Sequence, residues 1–267
     1  MRSPVSALIA ATAVLGAIGP AMAGDFARPE AIGFSADGRY FAYEAYGTGD
    51  ASEAPYAQVH VADLDTGQAV PDTGAEVVLE IDQGNGGAKQ PTEDDARAQA
   101  LKQARPVLAK LKIEAHPTAS VIDSGGRAYD GAVPTMAHDG IAAQGKTLTI
   151  EGFADAQNLE LPVTVQVVTR PAADTPCNDR PDVESFALTR ILPSIGTGTP
   201  YESGPATVYT DNVSSASRNC PLTFGLYALY GYKPAQGKPR LVAMVAYFPR
   251  TWEEPDRRFL AIPVPLP

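Results

Sequence analysis

The residues of this chain that could do chemistry are few and scattered. Three histidines, His60, His116 and His138, fall in a strand-like run, before Pro117, and beside Asp139. None stands at the His-x-x-x-His spacing that puts two imidazoles on one helix face, so a zinc or catalytic set could form only through the fold. Gly33-Phe34-Ser35-Ala36-Asp37-Gly38 comes near a nucleophile elbow but carries its second glycine one place late. Ser35 is better explained by a Ser-x-Asp-Gly turn. Gln83 to Lys89 is glycine-rich, yet Gln90-Pro91 follows the lysine where a Walker loop needs Ser or Thr opening a helix. Asp37, Asp63 and Asp65 could offer oxygen to calcium, but Thr66 to Val70 supplies no further carboxylate. No cofactor is expected.

The densest polar cluster lies near the end, in Arg218-Asn219-Cys220-Pro221 and in Trp252, Asp256, Arg257 and Arg258. Arg can clamp a carboxylate or phosphate bidentately and Trp offers a stacking face, so Arg218, Trp252, Asp256, Arg257 and Arg258 are the candidate ligand contacts. The plainer reading is a surface pair of Asp256 with Arg257 or Arg258, and Trp252 covering the end of a sheet.

What these residues can reach depends on where the chain folds. Arg2, the apolar stretch Ala7 to Ile18, the break at Gly19-Pro20 and the small-x-small Ala21-Met22-Ala23 have the layout of a secretory signal peptide cut after Ala23. Residues 1–23 are then an export address, and 24–267 a single secreted β-rich domain in the periplasm or beyond. No later apolar run is long enough for a membrane helix. The full chain carries 21 basic against 31 acidic side chains, a formal charge of −10. That balance disfavours nucleic acid and anionic membrane surfaces, which bind chiefly through Lys and Arg.

Two cysteines, Cys177 and Cys220, remain for an oxidising compartment. Neither has His or Cys at metal-ligand spacing, so a disulfide between them is expected, worth ~4 kcal/mol by loop-closure entropy.

The elements read as mainly β. Phe34 to Tyr43 is a Ser-x-Asp-Gly turn followed by an aromatic strand, and Ala57 to Asp63 alternates in period two before Leu64-Asp65-Thr66-Gly67. Together they resemble one blade of a TolB-like propeller, but no second copy recurs at the 40 to 50 residue period, so a blade-like meander within another fold is expected. Glu76 to Ile81 reads as a short strand. Thr92 and Asp95 form a capping box for a helix whose stripe is Ala100, Ala104, Val107, Leu108 and Leu111, with Arg97, Lys102, Lys110 and Lys112 outside it. Pro106 should kink or split this helix, with a bend near Gln103. Six further runs, at 146–150, 161–168, 185–191, 207–209, 222–230 and 240–248, are broken by Gly, Pro, Asn and Asp clusters, the pattern of an antiparallel sheet or sandwich. The last two form a nearly continuously apolar hairpin, expected at the centre of the core, with Cys220 just before it.

Several stretches resemble, in order, a family of secreted proteins of Gram-negative bacteria, mostly alphaproteobacteria, grouped as a domain of unknown function. They are Phe34 to Glu44, Pro55-Tyr56-Ala57, the Ala-rich helix, Val208-Tyr209, Ser217 to Pro221 and Pro255 to Pro263. Ala36 stands where a proline is common in that family and Glu254 where a glycine is expected. The resemblance implies a periplasmic setting and no particular activity.

Two functions are weighed. The first is a non-enzymatic protein that binds an envelope protein or a small ligand. The second is a periplasmic hydrolase or carbohydrate-active enzyme using His138, Asp139, Asp256 and Arg258. A deep pocket bringing a histidine to a carboxylate or hydroxyl would favour the second, and an apolar surface the first.

Overall fold

The computed structural model describes residues 25, 27–81, 89–114, 120–121, 147–156, 159–172, 177, 183–194, 203–235, 237–251 and 255–266. The expected signal peptide, the Gly84 to Ala88 loop, His116, His138, Asp139 and Trp252 lie outside them.

Four layers stack in the order helix, sheet, sheet, sheet. The first sheet is the blade-like meander, β1 (Arg28–Phe34), β2 (Tyr40–Thr48) and β3 (Pro55–Asp63), with β4 (Gln68–Ala69) and β5 (Ala75–Val78) both on the far edge of β3. The turn between β1 and β2 forms as its residues dictate. The Ser35 hydroxyl donates to Asp37 at 2.6 Å and accepts the Tyr40 N–H at 2.9 Å, while Gly38 takes the left-handed φ of +74°. Ser35 is thereby committed to the turn.

Odd-numbered β3 residues Ala57 and Val59 face the helix, α1 (Glu93–Lys110), whose Ala96, Ala100 and Ala104 are fully buried against them. Small side chains on this stripe let helix and sheet approach closely. Thr92 and Asp95 cap it in a reciprocal capping box. The helix is not split at Pro106 but runs on through it to Lys110, giving up the one bond to the Lys102 carbonyl while Ala96, Ala100 and Ala104 hold it against the sheet.

The opposite face of the first sheet, with Phe41, Tyr43, Tyr56 and Leu64, packs on the middle sheet. That layer has the order β13-β12-β11-β6, with β6 (Ser120–Val121), β11 (Phe224–Tyr232), β12 (Arg240–Tyr247) and β13 (Arg258–Pro263). Its other face, carrying Leu226, Leu241, Ala243 and Val245, packs on the third sheet. Burial on both sides explains why β12 reads as an unbroken apolar run. A bulge between Leu226 and Ala228 inserts Tyr227 and exchanges the two faces of β11 midway.

The third sheet is an antiparallel meander, β10-β9-β8-β7, made of β7 (Thr147–Ala156), β8 (Leu159–Pro171), β9 (Glu184–Leu192) and β10 (Gly204–Thr210). Cys177 and Cys220 are joined by a disulfide with Cα atoms 6.0 Å apart, tying the β8–β9 connection to the start of β11. The architecture is thus mainly β, with one α-helix among the described residues, as the sequence pattern implies. The edge strand β13 (Arg258–Pro263) comes in addition to the strand runs read from the sequence.

Candidate functional site

Both outer sheets overhang the β13 edge of the middle sheet and leave a cleft of about 980 Å³ there. Its floor is the free edge of β13. Register pairs Val242 with Pro263 and Tyr247 with Arg258, and the Val264 N–H donates to the Leu241 carbonyl at 2.8 Å. In an antiparallel ladder the paired residues alternate, so Arg258, Leu260 and Ile262 bond to β12 while Phe259, Ala261 and Pro263 turn their backbone groups toward the cleft. Pro263 has no N–H to present, which is where an edge strand tolerates proline.

One wall comes from the first sheet. His60 stacks on Tyr43 with ring centroids 4.9 Å apart, and the Tyr43 hydroxyl donates to the Phe259 carbonyl at 3.0 Å. The other wall comes from the third sheet and the loop after it, with Val208, Tyr209, Val213 and Arg218. Leu260, Ile262 and Val264 complete an apolar lining. Asp65, Lys238 and Arg240 border the Pro263 end, where Arg240 and Asp65 pair at 2.7 Å.

Electrostatics fixes what these groups can do. Burial holds the His60 imidazole below its ordinary 6.5, only partly offset by Glu76, so it is neutral at neutral pH. Burial also pushes the phenols of Tyr43, Tyr209 and Tyr247 up, and that of Tyr56 up to about 12. They are therefore protonated hydrogen-bond donors. Arg218 is held by Asp211, with side chains 10% and 2% exposed, and Asp211 also accepts from the Val213 N–H at 3.3 Å. The site can offer neutral donors, aromatic faces and aliphatic surface.

The expected ligand cluster is brought only partly together. Arg258 pairs with Asp256 at 2.8 Å and approaches Asp25 at 3.5 Å, with its guanidinium 5.8 Å from the Tyr56 ring. Arg257 donates instead to the Ala27 carbonyl at 2.9 Å. Arg218 turns to Asp211, and Tyr247 lies in the field of Arg258, Arg218 and Asp256. Among the described residues of the cluster only Arg218 lines the cleft. His60 is half-buried and stacked on Tyr43. The sequence hint overlooked was Pro263 and Pro265 in alternation, which suits a strand paired on one side only.

Among the described residues no group of three or more His, Cys, Asp or Glu could hold a metal ion, and no helix is long and apolar enough to cross a membrane. Neither a curated protein nor a solved structure matches the chain. A family model described as predicted secreted protein (DUF2259) matches residues 42–265, which takes in β3, α1, the third sheet and the middle sheet through β13. The chain that builds this cleft is therefore a member of the DUF2259 family of predicted secreted proteins.

Proposed function

We propose that this secreted protein is a binding protein of the cell envelope and that the cleft over β13 is its ligand site, working in the periplasm once the leader is removed after Ala23. The cleft itself carries the reading. At about 980 Å³ it sits at the upper end of ordinary ligand sites, and its walls combine much aliphatic and aromatic surface with a few placed polar groups. Buried phenols and a neutral imidazole suit recognition, since they donate or accept hydrogen bonds without the cost of burying a charge.

The test is native mass spectrometry of the protein isolated from its own envelope without denaturation, beside Ala261→Trp, which adds an indole where the floor meets the first-sheet wall. A bound mass present in the wild type and absent from the folded variant supports the reading. Turnover of substrates from a hydrolase panel, abolished by the same substitution, overturns it, as does a bound mass retained in Ala261→Trp.

A further inference from the structure

We infer that the cleft takes an extended segment of another polypeptide, added to the middle sheet as one more strand against β13, with acidic residues flanking an apolar run. This rests on reading the cleft as the binding site. Its floor is made of main-chain polar groups. Among the described residues the N–H of Phe259 and both the N–H and C=O of Ala261 face the cleft with no partner, and Pro263 presents its carbonyl. A hydrocarbon ligand would cover these groups and leave them unsatisfied, whereas a peptide backbone satisfies them in turn. The chain itself already uses this edge. Just before β13 the Arg257 N–H donates to the Asp25 carbonyl at 2.9 Å and the Ala27 N–H to the Arg257 carbonyl at 3.3 Å, a parallel bridge that an incoming strand would continue.

The walls define the segment. A strand in this position has the first sheet on one face and the third on the other, as β12 does, so both faces favour apolar side chains. The open edge spans about five residues of extended chain. Charge defines the flank: Arg218 is paired with Asp211 and Arg240 with Asp65, while Lys238 at the Pro263 end has no ionic partner among the described residues. That uncompensated cation, on a chain of net charge −10, favours acidic residues where the bound segment passes it.

The experiment uses fluorescein-labelled peptides with five aliphatic residues between paired acids, the dye anilinonaphthalene sulfonate as a non-peptide apolar probe, and the full mature chain. Ala261→Pro removes one cleft-facing donor at a position of the same parity as Pro263, so the β12 ladder stays intact. Peptide affinity falls roughly tenfold in this variant while dye binding is unchanged. Lys238→Glu weakens the peptide further at low salt than at high. With wild-type protein, N-methylation of alternate peptide residues abolishes binding in one parity and spares the other, a result independent of how any variant folds. Equal affinity for both methylated series, or for wild type and a folded Ala261→Pro, overturns strand addition. Dye binding without peptide binding also overturns it and leaves the cleft reading standing. Dye binding unchanged by Ala261→Trp removes both.

Discussion

Arg97 on the helix reaches through the first sheet's outer face to the Glu44 carboxylate of β2, a side chain 3% exposed, and lies 4.1 Å from the centre of the Tyr46 ring. Glu93, Asp94 and Asp95 on the first turn of α1 complement its dipole, whereas Arg97, just beyond that turn, fastens the helix to the sheet. Arg97→Met leaves Glu44 buried without its cation and should cost about 3 kcal/mol in urea unfolding. The double variant Arg97→Met with Glu44→Leu should recover most of that loss, and a double variant no more stable than the single would refute the pairing.

Tyr43 ties the first sheet to the edge of the middle one. Tyr43→Phe keeps the packing and removes the bond to the Phe259 carbonyl, so stability should fall by about 1 kcal/mol. The freed carbonyl faces the cleft, and hydrogen exchange of Leu260 and Ile262, whose amides bond to β12, should report faster local opening.

His60 makes stability depend on pH. Its folded pKa lies below the unfolded value near 6.5, because burial opposes the charged form. The unfolded chain therefore binds more protons, and stability is full above pH 6.5 and declines as pH falls toward the folded pKa, by at most about 1.4 kcal/mol per unit. Glu184, raised by burial, acts oppositely at lower pH, since its folded form holds a proton that the unfolded chain releases. His60→Phe should remove the slope of Tm just below pH 6.5 and leave the more acidic region unchanged.

The disulfide closes the loop from Cys177 to Cys220. Reduction, or the double change to Ser, should cost ~4 kcal/mol and lower the urea midpoint with little change in the spectrum of the folded state. Intact mass after alkylation of the folded protein should show neither thiol modified.

Much of the architecture was legible because burial writes directly onto sequence. The double-sided burial of β12 makes an unbroken apolar run, the capping box at Thr92 marks the helix start, and the period-two runs of the meander and third sheet alternate as half-buried strands must. β13 was illegible for a local reason: Pro263 argues against a strand unless one knows that its nitrogen faces away from the only neighbour. The cleft was illegible for a global one. Tyr43, His60, Val208, Arg218 and Ala261 come from three sheets, and no spacing along the chain encodes the overhang that joins them. The Arg97 contact was hidden likewise, since a helix wheel shows that an arginine is off the apolar stripe and not that a buried acid waits opposite.

The Tyr227 bulge and the layer order have a consequence for assembly. Both outer sheets bury their inner faces on a slab whose three long strands lie between Phe224 and Pro263, after every strand of either flank in chain order. Neither flank can dry its interior until that slab has formed, so both wait on contacts made across long stretches of sequence, the topology that slows folding most.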